Sequence, residues 1–155
     1  MKIATEVAVQ ASQDAIWNTL IDFSAYPEWN RFLKSVRGQA AADAPLEVDL
    51  QFYGKPLEKK SGTVTGFIAP KYFSWAWKHK FGAWFLAAEH VFRIKTTDSG
   101  KVIFFQEMYY TGLGLKFRRR EAEHMIKLSL EKLNDDLKSR MEPVVEPAGP
   151  GDPAK

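Results

Sequence analysis

Acid–base or metal chemistry near neutral pH would fall first to histidine, and the chain has three: His79, His90 and His124. Imidazole metal sites need spacings of the HxH or HExxH kind, or an acidic cluster close by. None of the three has either. Cysteine is absent, which removes thiolate ligands and disulfides. Neither a metal nor a cofactor is expected. General acid–base catalysis needs a titratable group at a binding surface, with its pKa tuned to the reaction. The candidates are His90 and Tyr110, with Gln106, His79 and Thr5 as further polar residues on inward faces. Such a set can orient a polar head group and is thin for catalysis. His90 has two readings: a hydrogen-bonded structural histidine, or a ligand contact with an acid–base role.

A second constellation is the basic run Lys116-Phe117-Arg118-Arg119-Arg120. It opens a long helix, where positive charge opposes the helix dipole, so helix propensity does not explain it. Arg118, Arg119 and Arg120 could attract an acidic ligand or make a weak contact with an anionic membrane surface. A solvated run partly paired with Glu121 and Glu123 is the plainer account. A net charge of +3 is too mild for a nucleic-acid footprint, and no nucleic-acid partner is expected.

These residues need elements to hold them. From Leu115 to Met141 apolar residues fall at Ile126, Leu130, Leu133, Leu137 and Met141, one stripe of an uninterrupted helix that must cross the domain. Most of what precedes it alternates like strand. Ile3 to Val9 is a half-buried strand. Ser12 then caps a short helix with Ile16, Trp17, Leu20 and Ile21 on its apolar face. Residues 23–32, FSAYPEWNRF, fold back as a turn of helix that plugs one end. Strands follow at about 33–38, 46–53, 57–69, 72–81, 84–96 and 101–111. Turn residues separate them at Ala44-Pro45, Gly54-Lys55-Pro56, Ala69-Pro70 and Asp98-Ser99-Gly100. Breaks this short favour hairpins over parallel units. The expected fold is α+β: a seven-stranded antiparallel sheet curved around a long C-terminal helix, with two short helices after strand 1. Residues 1–142 form one domain, and the Pro- and Gly-rich stretch 143–155 is a disordered tail. No apolar run reaches the length of a membrane span, and Met1-Lys2 leads straight into strand pattern. The expected location is cytoplasmic.

The order of elements and four short motifs resemble the SRPBCC superfamily of START and Bet v 1-like helix-grip proteins. The motifs are QDAIWNTLIDFSAYPEWNRF at 13–32, Pro70 with Phe73 and Trp75, Glu89-His90-Val91-Phe92, and Leu133 to Glu142. The similarity is greatest to the bacterial branch described as polyketide cyclase/dehydrase-like or carbon monoxide dehydrogenase-related. Arg31 stands where that pattern has proline, and Met108 where it has an inward glutamate. The resemblance implies an internal cavity between the concave face of the sheet and the last helix.

Period-2 alternation assigns the inner face. On 72–81 it takes Phe73, Trp75, Trp77 and His79; on 84–96 it takes Leu86, Ala88, His90, Phe92 and Ile94. Both faces of 101–111 are apolar, and the resemblance selects Val102, Phe104, Gln106, Met108 and Tyr110. Ile103, Phe105 and Tyr109 would then form an outward patch suited to a homodimer or another partner. The ligand-binding set is Trp29, Phe32, Phe52, Trp75, Trp77, His90, Phe92, Phe104, Gln106, Met108 and Tyr110. Aromatic residues make up 14% of the chain, with five Trp and eleven Phe, which suits a lined cavity as well as a filled core. The expected function is binding of a small hydrophobic ligand, aromatic or lipid-like, as carrier or sensor. The alternatives are a cyclase- or dehydratase-like enzyme and a protein- or membrane-interaction module.

Overall fold

The computed structural model describes residues 1–116 and 119–143. Phe117 and Arg118 of the basic run, and all but the first residue of the expected tail, lie outside the described residues. The chain begins with β1 (Lys2–Val9) and α1 (Gln13–Ile21), then a 3-10 turn (Phe23–Ala25) and α2 (Tyr26–Trp29). Six strands follow: β2 (Leu33–Gly38), β3 (Pro45–Leu50), β4 (Glu58–Ile68), β5 (Tyr72–Lys78), β6 (Ala87–Thr96) and β7 (Val102–Thr111). A second 3-10 turn (Leu113–Lys116) precedes α3 (Arg119–Met141).

The seven strands form one antiparallel sheet in the order β1-β7-β6-β5-β4-β3-β2. β2 to β7 are a meander, and β1 closes the far side by pairing with β7 from Lys2↔Tyr109 to Val9↔Val102. The helix stripe is the one the sequence implies: Ile126, Leu130, Leu133 and Leu137 are buried against the sheet. Ser12 caps α1, its hydroxyl accepting the Ala15 N–H at 3.1 Å. Tyr26 of α2 donates its phenol to the Leu20 carbonyl at 2.6 Å, locking the plug against α1. Within that plug Asn30 Oδ1 accepts the N–H groups of Phe32 (3.0 Å) and Leu33 (2.7 Å), so a buried side chain completes the turn into β2.

Arg31, the residue that departs from the family's proline, has a structural use for its N–H. Asp136 of α3 accepts that N–H at 2.8 Å and the Arg31 Nε at 2.6 Å. Proline could make neither bond.

Two boundaries differ from expectation. The hairpin strands expected at 72–81 and 84–96 stop at Lys78 and restart at Ala87, leaving His79–Leu86 as a loop. Gly82 sits there at φ +100°, a left-handed conformation that a strand does not use. The loop is closed by His79 N–H to Leu86 O at 2.8 Å and Gly82 N–H to His79 O at 2.7 Å. The long helix does not run from Leu115, because Leu115 and Lys116 belong to the 3-10 turn. Gly112 at φ +112° turns the chain there, and a Cβ on it would collide with the Phe85 carbonyl.

On β7 the inner set is Val102, Phe104, Gln106, Met108 and Tyr110, all buried. The outward residues Ile103, Phe105 and Tyr109 are only half-buried, but they do not make the bare patch expected of them. Lys2 lies over the Tyr109 ring at 5.4 Å, and the Tyr109 phenol donates to Glu107 at 2.9 Å. The exposed large apolar side chains lie elsewhere, and most of them flank the site described next.

Candidate functional site

Most of the space between sheet and α3 is filled. Phe73 and Phe92 stack at 5.9 Å between centroids, Phe92 and Phe104 at 5.7 Å. Phe32 meets Phe52 at 5.2 Å and the His90 ring at 5.9 Å. Trp29, Trp75 and Met108 are buried in the same mass. Trp75 also stacks on Trp77 at 4.6 Å and 24°.

Through this apolar interior runs one polar strut. Gln106 Nε2 on β7 donates to the Leu130 carbonyl at 2.9 Å and to Asn134 Oδ1 of α3. Its amide oxygen therefore faces His90 on β6, 3.1 Å from Nε2, and the imidazole must carry its proton on that nitrogen. Nδ1 is then a bare acceptor, buried and without a protein partner. Burial pushes the His90 pKa down to about 3, against a smaller upward pull from Gln106. At neutral pH His90 is an uncharged member of a strand-to-helix tie.

The interior stays open at one end. A cavity of about 220 Å³ lies beside the first turns of α3. β3 and the loop after it supply Phe52; β4 supplies Glu58 and Lys60; β5 and β7 supply Trp77 and Tyr110. Leu86 enters from the aromatic loop, Gly114 and Leu115 from the 3-10 turn, and Ala122, Met125 and Ile126 from one face of α3. The Trp77 and Tyr110 rings meet edge-on at 6.1 Å and 88°, giving two walls at right angles. The Tyr110 phenol points back at Met108 Sδ, 3.5 Å away. Burial, with Glu58 nearby, raises its pKa, so it stays protonated. Charge is confined to Glu58 and Lys60, an ion pair at 2.8 Å on the cavity wall. The apolar floor with a polar pair at one side is the usual composition of a small-molecule site.

Of the sequence-derived ligand set, this arrangement brings Phe52, Trp77 and Tyr110 to the cavity. Trp29, Phe32, Trp75, His90, Phe92, Phe104, Gln106 and Met108 lie in the packed interior behind them. His79 is in the loop, not on the inner face of β5; its ring contacts Phe81 and Phe85 at 5.1 and 4.9 Å. His124 is exposed on α3. Among the described residues no three His, Cys, Asp or Glu side chains converge as metal ligands would. Thr5 is part-buried, its hydroxyl without a partner.

The sequence held signals for the lining residues that were missed. Ala122 and Met125 continue the Ile126 stripe backwards by four and one positions, onto the same helix face. Lys60 lies opposite the buried Val48, and alternation from Val64 through Gly62 puts Lys60 and Glu58 on the inner side of β4.

No protein-family model matches the sequence, and no curated protein is similar to it. Solved structures do match. A START superfamily protein from Mycobacterium smegmatis superposes with a TM-score of 0.72 at 20% identity, over 91% of this chain and 97% of that one. A conserved protein from Geobacillus kaustophilus gives 0.69 at 16% identity, over 91% and 95%. CalU16 from Micromonospora echinospora gives 0.65 at 16% identity, over 91% and 74%. The chain has a helix-grip fold, an antiparallel sheet closed around one long helix. It is the START-like fold of the SRPBCC superfamily, an architecture known for enclosing small ligands. Identities this low speak to the fold alone.

Proposed function

We propose that the protein binds a small hydrophobic molecule in the cavity bounded by Trp77, Tyr110 and the start of α3, as a carrier or sensor. The observation behind this reading is the contrast inside the molecule: a close-packed aromatic interior, and one open space walled by apolar side chains from five elements. A volume of about 220 Å³ is below the roughly 300–1,000 Å³ of sites for drug-sized molecules. The occupant is therefore a one- or two-ring aromatic compound or a short acyl segment, its polar end toward Glu58 and Lys60. A cyclase- or dehydratase-like reaction would need a group titrating near neutral pH at the cavity. His90, held neutral behind the wall, and Tyr110, held protonated, do not supply one.

The test is native mass spectrometry of freshly purified protein, followed by organic extraction of whatever is released. A discrete additional mass is expected, and Ala122→Phe, which projects a ring into the space from a half-buried helix position, is expected to abolish it. If neither an extracted compound nor an added apolar fluorophore such as anilinonaphthalene sulfonate distinguishes the wild type from Ala122→Phe, the cavity is not a binding site.

A further inference from the structure

Large apolar side chains are exposed around the cavity's rim. Phe81 is 60% exposed, Trp84 66% and Leu113 53%. They form one group: the Leu113 N–H donates to the Trp84 carbonyl at 3.1 Å, and Phe85 lies between Phe81 (5.8 Å) and Trp84 (6.0 Å). Tyr53, on the β3–β4 loop that continues from Phe52 at the cavity wall, is exposed as well. The loop carrying the group is braced by its own backbone bonds, so the rings are held outward as a formed tip rather than a collapsing chain.

The charge around this tip has one sign in excess. Lys80 lies 5.2 Å over the Phe81 ring. Lys116 shares the turn of Leu113, and Arg119 and Arg120 open α3 beside it, all exposed. Of the nearby carboxylates, Glu58 is paired with Lys60 and Glu121 with Lys55, while Glu123 is exposed. Two copies meeting through this face would bring like charges together. An anionic surface would not.

We propose that this rim docks on an anionic phospholipid bilayer, with Phe81, Trp84 and Leu113 entering the headgroup–acyl boundary and Lys80, Lys116, Arg119 and Arg120 meeting lipid phosphates. An indole and a phenyl ring projecting from a basic rim suit that boundary, where apolar burial and charge attraction act together. The docked pose turns the cavity mouth toward the lipid, so an occupant could pass between bilayer and protein without crossing water. The inference goes beyond ligand binding and does not depend on it, since Phe81 and Trp84 do not line the cavity.

The experiment is co-sedimentation of the full chain with vesicles of phosphatidylglycerol and phosphatidylcholine in equal parts, and with phosphatidylcholine alone, alongside size-exclusion chromatography. The wild type is expected to pellet with the anionic vesicles and to remain in the supernatant with the neutral ones. The double variant Phe81→Ser/Trp84→Ser should lose about tenfold or more in partitioning, and Lys80→Glu should weaken it in a salt-dependent way. All three positions are exposed, and circular dichroism would verify that the variants are folded. The proposal is overturned if the wild type stays in the supernatant with anionic vesicles, if the double variant pellets like the wild type, or if neutral vesicles bind equally well. A dimer that dissociates in the double variant, with no vesicle binding, would overturn it too and assign the rim to self-association.

Discussion

His90 looks like a catalytic residue in the sequence and behaves like a strut in the structure. Alternation could place it inward, and did so, but a one-dimensional pattern does not contain its partner. Gln106 lies sixteen residues away on the next strand and Asn134 a further 28 along, on the helix. The consequence is measurable. An unfolded chain protonates this imidazole near its ordinary value of 6.5, whereas the folded protein resists until about pH 3. Between those values the unfolded state holds the extra proton, so the stability present above pH 6.5 is lost progressively as pH falls, by up to about 1.4 kcal/mol per unit. Glu107, Asp49 and Glu142 add the same sign lower down, because each is held below its usual carboxylate value in the native state. For Glu107 burial acts upward, but the Lys2, Tyr109 and Arg93 contacts outweigh it. Urea denaturation of wild type and His90→Leu at pH 7.5, 6 and 5 should show a steep fall for the wild type and a flatter curve for the variant. Parallel curves would mean that the imidazole titrates normally and is not sealed.

Among the elements, the strands and helices were legible because their periodicities are long and clean; the joints were not. The stripe Ile126 to Leu137 and the alternation of β1, β5 and β6 locate themselves. The start of α3 and the His79–Leu86 loop hinge on Gly112 and Gly82, where a backbone angle overrides an apolar pattern that would otherwise read through. Gly112→Ala should therefore be among the costlier single-methyl changes, about 2 kcal/mol or more, since it meets both a positive φ and the Phe85 carbonyl. Its damage should be local, seen as faster amide exchange in residues 79–86. The Arg31–Asp136 joint gives a graded test. Asp136→Ala removes both bonds and should cost about 1–3 kcal/mol, whereas Arg31→Ala keeps the backbone bond and should cost well under half of that. Equal losses in thermal denaturation would show that the exposed guanidinium, not the N–H, carries the joint.

The molecule as a whole is divided, solid at one end of the sheet and hollow at the other. Composition could not show this division. The same five tryptophans and eleven phenylalanines are compatible with a lined cavity or a filled one, and the chain uses them for both. Which aromatic goes where depends on how far each strand reaches beneath α3, a distance that alternation does not encode. Truncations should feel the difference. Phe104→Ala, in the stacked interior, is expected to cost about 3–5 kcal/mol. Met125→Ala, on a wall that already faces open space, is expected to cost about 1 kcal/mol. Similar losses in urea denaturation would indicate that the cavity closes in solution.

The positions of the tryptophans also make the protein its own spectrometer. Trp17, Trp29, Trp75 and Trp77 are buried, while Trp84 stands in water at the rim. An indole emits to the red in water and to the blue when water leaves it. Docking on lipid would thus silence the red component and leave the buried ones unchanged. Filling the cavity would instead perturb Trp77 and, through their stacked rings, the shared absorption of Trp75 and Trp77. A single Trp84→Phe substitution separates the two channels, so occupancy and location can each be followed in one unlabelled sample.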